Sequence, residues 1–284
     1  MGTLYLVSTP IGNLEDISLR ALRVLKEVSL IASEDTRHTR KLLTRYAIAT
    51  RQVSYHEHSP TSRLASLLRA LEDGDVALVT DAGTPGLSDP GFELVRSAWA
   101  DGHTVRPVPG ASAPLAGLVA SGLPSDSFLF LGYLPRQRAA RRKWLKDYAE
   151  VPATLVCFEV PHRLRAALVD LEAVLGADRV AAACRELTKL HEEIRRGTLS
   201  ELRSHFAATA PRGEFTLVIS GAPAGGRWQE TAVQAALRDR RRQGDSASQA
   251  ARHVARLSGW RRGEVYRMAL EDREASPKRT GGER

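Results

Sequence analysis

The stretch Thr80-Asp81-Ala82-Gly83-Thr84-Pro85-Gly86-Leu87-Ser88-Asp89-Pro90-Gly91 decides the fold. It follows Val76-Ala77-Leu78-Val79, a short unbroken apolar run that reads as a buried strand over Val76–Thr80. It precedes Phe92-Glu93-Leu94-Val95, the start of a helix predicted over Phe92–Ala100. Glycine, proline and small hydroxyl residues leave backbone N–H and C=O groups uncovered. In an α/β sheet such a loop stands at the carboxyl end of a strand, where ligands bind. The plain alternative is an elaborate turn.

Two further turns of the same kind support the ligand reading. Ser8-Thr9-Pro10-Ile11-Gly12-Asn13 follows a predicted strand over Leu4–Ser8. Val108-Pro109-Gly110-Ala111-Ser112-Ala113 follows one over Thr104–Val108 and enters a helix at Pro114–Ala120. None contains G-x-G-x-x-G or G-x-x-x-x-G-K-[ST], which disfavours a dinucleotide fold and a P-loop NTPase. Between the turns the pattern alternates. Ser18 caps a helix reaching about Val28, with Leu19, Leu22, Leu25 and Val28 on one face. Leu30–Ser33 and Gln52–Tyr55 read as strands, and a helix lies near His38–Arg45. Another helix starts at Ser59-Pro60, with proline in its first position, and runs to Glu72. This βαβ series implies an α/β fold with a largely parallel sheet.

A second series follows Gly122-Leu123-Pro124-Ser125, with strands at Phe128–Leu131, Ala153–Phe158, Arg179–Cys184, Ile194–Thr198 and Phe215–Ile219. Its helices are expected at Arg138–Tyr148, Arg163–Leu175 and Ser200–Ala208. Gly221-Ala222-Pro223-Ala224-Gly225-Gly226 reads as a linker. Three helices beyond it, Glu230–Arg242, Ser246–Leu257 and Arg262–Asp272, resemble a helix-turn-helix bundle. The expected division is an α/β domain over 1–122, a second over 123–222, a helical appendage over 223–275 and a disordered polar tail over 276–284.

A chain of 284 residues with 43% hydrophobic content suits two soluble domains. No apolar run spans a membrane and no signal peptide is visible at the N-terminus. Cys157 and Cys184 lie in apolar surroundings and read as buried free thiols, which fits a reducing cytoplasm. The formal net charge is +8, and residues 224–284 carry 14 Lys/Arg against 8 Asp/Glu. Basic residues gathered in one module point to a polyanion, most often nucleic acid, or to a solvated surface.

The motifs resemble, in order and spacing, those of the tetrapyrrole-methylase group of S-adenosylmethionine enzymes. They are Val7 to Leu14, Ser33-Glu34-Asp35-Thr36-Arg37, Thr80 to Gly91, and Pro109-Gly110-Ala111-Ser112-Ala113. Phe130-Leu131-Gly132-Tyr133-Leu134-Pro135, Phe158-Glu159-Val160-Pro161-His162-Arg163, Arg185-Glu186-Leu187-Thr188-Lys189 with His191-Glu192, and Gly213-Glu214-Phe215-Thr216 narrow the likeness. They resemble the ribosomal RNA small subunit methyltransferase I subfamily, with a departure at Ser59, where members often carry Asn. The resemblance implies two α/β domains with S-adenosylmethionine in the cleft between them, a homodimer, and 2′-O-methylation of a cytidine ribose in the decoding region of 16S rRNA. It implies cofactor contacts at Pro10, Gly12, Asp81, Ala82, Gly83, Thr84, Pro85, Ser88, Asp89, Gly110, Ala111, Ser112, Leu131 and Gly132.

In such a reaction a ribose hydroxyl displaces a methyl from a sulfonium, and the cofactor carries the difficult step. A base assists by roughly 10²–10⁴-fold. Candidates are Asp35 and Glu34 at a strand end, and Lys189 or Glu192 in the second domain. Glu34 and Asp35 could instead cap the next helix and pair with Arg37, and Lys189 could hold a phosphate. Arg136, Arg138, Arg141, Arg142, Arg241 and Arg242 crowd two predicted helices, and with Arg37 and Arg185 they form the expected RNA-binding set. His56-Glu57-His58 lacks a third ligand at suitable spacing, so no metal is expected. Two other functions compete: methylation of a uroporphyrinogen-like tetrapyrrole, and a non-catalytic RNA-binding assembly factor.

Overall fold

The computed structural model describes residues 1–222 and 228–274. Most of the expected linker, and the tail beyond 274, lie outside the described residues. The first unit runs β1 (Thr3–Val7), α1 (Leu19–Glu27), β2 (Leu30–Ser33), α2 (Thr36–Arg45), β3 (Gln52–Ser54), α3 (Thr61–Asp73), β4 (Val76–Val79), α4 (Phe92–Ala100), β5 (Thr104–Val108) and α5 (Ala113–Ser121). Its five strands are all parallel, in the order β3-β2-β4-β1-β5. All four residues of β4 are buried, as a strand covered on both faces requires. One face packs Ala21, Val24, Leu25 and Leu43; the other packs Leu67, Leu71, Leu94 and Ala98.

Two details differ from the sequence pattern. Ser18 does cap α1, accepting the Ala21 amide at 3.1 Å. The buried face, however, is Ala21, Val24, Leu25 and Val28, while Leu19 is 87% exposed. A face repeated every three residues drifts off a helix of 3.6 residues per turn; the spacing i, i+3, i+4, i+7 stays on it. Pro60 is the residue before α3, in extended conformation, instead of its first helical residue.

The second unit runs β6 (Phe128–Tyr133), α6 (Arg138–Lys146), β7 (Thr154–Glu159), α7 (Pro161–Leu175), β8 (Val180–Arg185), β9 (Glu193–Thr198), α8 (Leu199–Ala208) and β10 (Phe215–Ile219). Its order is β6-β7-β10-β8-β9. Only β6 and β7 are parallel; β10 enters between β7 and β8 antiparallel to both. One face is covered by α6, α7 and α8. The other is covered by α5, whose Leu118 is buried with Val156, Ala182, Cys184 and Val218. A Cβ on Gly117 would stand 2.8 Å from Thr216 Cγ2, so only glycine lets α5 lie this close. The helix that ends the first unit therefore packs on the second.

The helices α9 (Glu230–Arg242), α10 (Ala247–Ser258) and α11 (Arg262–Glu274) have their own core of Val233, Leu237, Ala250, Val254, Val265 and Ala269. Ser246 and Gln249 form a capping box at the start of α10. Trp260 Nε1 donates to the Trp228 carbonyl at 2.7 Å and ties the end of α10 to the entry of α9. Among the described residues no helix is long and apolar enough to cross a membrane.

Candidate active site

The ends of β2, β4, β1 and β5 are neighbours in the first sheet, and each leads into one of the segments singled out by sequence. The turns are tied to one another. Thr9 and Gly83 exchange backbone hydrogen bonds of 2.8 and 3.0 Å, an antiparallel bridge at the end of a parallel sheet. Thr9 Oγ1 donates to the Thr80 carbonyl at 3.1 Å. Ser8 Oγ and Thr84 Oγ1 lie 3.1 Å apart, and Thr84 Oγ1 donates to the Ala111 carbonyl at 3.4 Å. Gly83 takes φ 82°, a left-handed conformation that favours glycine. The three turns thus form one floor.

The second sheet supplies the facing wall. Tyr133, Phe158, Glu159, Cys184, Glu186, Glu214 and Thr216 line a cleft of about 400 Å³ opposite Glu34, Asp81, Gly83, Thr84, Ser88 and Asp89. Phe158 packs edge-on to Phe130 at 5.1 Å and tilted against Tyr133 at 5.4 Å, an aromatic wall. The lining holds six carboxylates and one cation, Lys189. That donor set suits a ligand carrying positive charge.

The carboxylates differ in how they are held. Glu34 Oε2 accepts the Asp81 amide at 3.2 Å, and Asp81 Oδ1 accepts the Asp35 amide at 3.1 Å, so the β2 and β4 loops are cross-linked. Burial, then the charges of Glu34 and Asp81, push the Asp89 carboxyl up to about 6, against the opposing pull of the Thr80 hydroxyl. Among the described residues no arginine or lysine pairs with Asp89. Burial likewise raises the Glu159 carboxyl.

The rim between the two sheets is strapped. Lys189 Nζ lies 3.0 Å from Glu186 Oε1 and 2.8 Å from Glu214 Oε2. Its stem covers Gly12 of the first unit, where a Cβ would stand 2.3 Å from Lys189 Cγ. Thr188 Oγ1 accepts the Asn13 amide at 3.2 Å. Glu186 and Thr188 both take positive φ, 50° and 67°, although neither is glycine. Such strain persists only where surrounding contacts enforce it.

Residues 3–203 match the model of the tetrapyrrole (corrin/porphyrin) methylases. The ribosomal RNA small subunit methyltransferase I of Synechocystis sp. is 45% identical over 95% of this chain and 98% of its own. That of Halalkalibacterium halodurans is 52% identical over 78% of this chain and 76% of its own. This chain belongs to the tetrapyrrole methylase family, in its ribosomal RNA small subunit methyltransferase I branch. The Thermus thermophilus uroporphyrin-III C-methyltransferase, solved in complex with S-adenosylhomocysteine, shares the methylase fold. Its TM-score is 0.54 and its identity 22%, over 76% of this chain and 97% of that one.

Within this methylase, Asp81, Ala82, Gly83, Thr84, Ser88, Asp89 and Ser112 of the expected cofactor set line the cleft. Gly110 and Ser112 line an adjoining apolar groove with Leu115, Phe128 and Phe130. Pro10 and Pro85 are buried in their turns, and Gly12 lies under Lys189. Ala111 takes part through its carbonyl. Gly132 takes φ 64° and faces Ser88 Oγ across the cleft, whereas Leu131 packs against the second unit's core.

Of the four base candidates, Glu34 and Lys189 line the cleft. Burial works against the Lys189 charge, but hydrogen bonds to Glu214 and Glu186 outweigh it and raise its pKa. A cation held this way cannot take a proton, which corrects its candidacy as base. Asp35 is corrected as well: it caps α2 through the Arg37 amide at 2.8 Å and grips the Arg37 guanidinium at 2.8 and 3.2 Å. The Arg37 side-chain hydrogen bond holds its carboxyl far below the usual range. Glu192 Oε2 accepts the Thr188 amide at 2.6 Å and shapes the strap.

Arg141 is corrected as an RNA contact. It is 3% exposed, and its guanidinium is spent on Asp170, at 2.5 and 2.9 Å, and on the carbonyls of Pro135, Arg136 and Ala166. Arg185 donates to the Arg212 carbonyl at 2.7 Å and pairs with Glu193 at 3.4 Å. Arg136, Arg241 and Arg242 are exposed. Among the described residues no cluster of His, Cys, Asp and Glu is suited to a metal. Sequence reading missed the cleft walls Tyr133, Glu159, Glu186 and Glu214 as site residues, although each lay in a motif already noted.

Proposed function

We propose that the protein transfers a methyl group from S-adenosylmethionine to the ribose 2′-oxygen of a cytidine in 16S rRNA, in the cytoplasm and as a homodimer. The observation that carries the reading is a whole-length match, at 45% identity, to a small-subunit rRNA methyltransferase, joined to a cleft whose lining suits a positively charged nucleoside. The cleft's volume lies in the range of small-molecule sites. Backbone groups around Gly83 and Ala111, with the Thr84, Ser88 and Ser112 hydroxyls, suit the polar edges of a nucleoside. The carboxylates of Asp81 and Asp89 suit a sulfonium. When bound, S-adenosylmethionine supplies a methyl on an activated leaving group.

The chain's own residues orient and desolvate. The fixed floor of three turns limits the poses a ligand can take. The partly buried ring of Phe158, with Tyr133 packed against it, gives one wall an apolar surface. In this reading Glu34 takes the hydroxyl proton; the hydrogen bond from the Asp81 amide, which holds its carboxylate at the cleft, supports that role. The exposed apolar side chains of Leu115, Val119, Phe128 and Leu129 support pairing with a second copy. The two buried free cysteines support a reducing compartment.

The test is transfer of labelled methyl to 30S subunits, naked 16S rRNA and uroporphyrinogen in parallel. Label on small-subunit rRNA, recovered as 2′-O-methylcytidine after digestion to nucleosides, is the expected outcome. Label confined to the macrocycle would overturn it. Glu34→Gln lowers kcat by about 10²–10⁴-fold with cofactor affinity unchanged.

A further inference from the structure

On the outer side of the second unit, one buried carboxylate gathers three arginines. Asp170, on α7, is 1% exposed. Arg141 saturates one of its oxygens from within the core, as described above. The other oxygen, Oδ1, accepts Arg142 Nε at 2.6 Å and Arg138 Nε at 3.4 Å. Burial alone would raise the Asp170 pKa, but the hydrogen bonds of Arg142 and Arg141 outweigh it and hold the carboxyl below its usual value. Asp170 is thus a fixed anion.

Arg138 and Arg142 differ from Arg141 in what they leave over. Their side chains are 68% and 38% exposed, and each meets Asp170 through Nε. Their terminal amino groups have no hydrogen-bond partner among the described residues. The pair stands one helical turn apart, at i and i+4, on one face of α6. Three guanidiniums around one carboxylate leave an excess positive charge of two. Holding like charges this close costs energy unless an anion completes the site. A guanidinium fixed at Nε still presents its terminal amino groups, the geometry that receives a phosphate.

The position suits a strand entering the cleft. Tyr133 lines the cleft at the end of β6, and Arg138 follows five residues later, within about 18 Å even for extended chain. We propose that Arg138 and Arg142, set side by side by the buried Asp170 carboxylate, receive a backbone phosphodiester of the RNA strand whose ribose enters the cleft, with Asp170 as a positioning residue. This rests on the rRNA reading above.

The experiment measures methyl transfer to 30S subunits, and filter binding of the full chain to 16S rRNA across a salt series. The proteins are wild type, Arg138→Gln/Arg142→Gln, Arg142→Lys and Asp170→Asn; S-adenosylmethionine uptake is followed by calorimetry and folding by thermal melts. The double variant is expected to raise KM for 30S about tenfold at unchanged kcat, the loss of a charged hydrogen bond. It also flattens the salt slope by about 0.7 per phosphate lost, while cofactor affinity stays put. Arg142→Lys keeps the charge and still weakens binding several-fold. Asp170→Asn separates positioning from bulk charge. It makes the face more positive, so simple attraction would tighten RNA binding, whereas loss of positioning weakens it. A double variant or Arg142→Lys variant that binds like wild type, or a folded Asp170→Asn variant that binds tighter, overturns the proposal while wild type still labels 30S. Failure of wild type to label any RNA overturns the rRNA reading instead.

Discussion

Asp89 and Asp170 are both aspartates drawn into the protein, and their surroundings treat them in opposite ways. Asp89 faces the cleft with Glu34 and Asp81 for neighbours, and its carboxyl is pushed up to about 6. Asp170 sits under α6 with three guanidiniums, and its carboxyl is held below the usual range. Among the described residues the first has no cation paired with it; the second is an anion oversupplied with them. A site for a positively charged small molecule and a site for a polyanion are thus built from one residue type, by choice of neighbours.

The largest expected effect breaks the Asp170 side. Asp170→Ala leaves Arg141 buried without its carboxylate, a loss on the order of 3–5 kcal/mol that a thermal or urea melt reads directly. Asp89→Asn is expected to do the reverse. Asp89 holds its proton up to about pH 6, so its favourable contribution is complete at acid pH and is lost as pH rises through 6. The variant therefore melts higher than wild type at pH 7.5 and level with it at pH 4. The same variant should bind S-adenosylmethionine more than about tenfold more weakly at pH 7.5, the scale of a charged contact, as calorimetry would record.

A smaller effect sharpens the contrast within the wild type. Lowering the pH from 7.5 to 5 protonates Asp89 and weakens cofactor affinity several-fold, with a midpoint near 6. Asp89→Asn abolishes that dependence, and Arg138→Gln/Arg142→Gln retains it. The smallest effect is expected at Arg37, whose pair with Asp35 is exposed to solvent. Arg37→Ala should leave the melting temperature within error, because exposed pairs contribute little.

The floor of the cleft was legible in the sequence because its signals are local. Glycine, proline and hydroxyl residues mark a strand end wherever they occur, and Thr80 to Gly91 carries them within one loop. The facing wall was not legible as a site. Glu159, Glu186 and Glu214 meet only because β10 enters between β7 and β8, and no local pattern encodes that insertion. The arginines of α6 show the same limit. Arg141 and Arg142 are adjacent in a basic run, yet one is in the core and the other at its edge. The available clues were Arg141 standing one turn before the buried Leu145, and Asp170 placed among Leu164, Ala167, Leu168 and Leu171. Each becomes meaningful only once α6 is laid against α7. The Leu19 face of α1 failed for a simpler reason, a three-residue spacing taken for a helical stripe.

The bridge between Thr9 and Gly83 carries a consequence for how this protein can vary. Two loops 74 positions apart in the chain are clasped through peptide groups alone, so most replacements on either loop alter what protrudes while the clasp endures. The two amides should exchange with deuterium at one common rate, opening as a unit. A lineage could then recolour the ligand-facing edge step by step without ever rebuilding the platform beneath it.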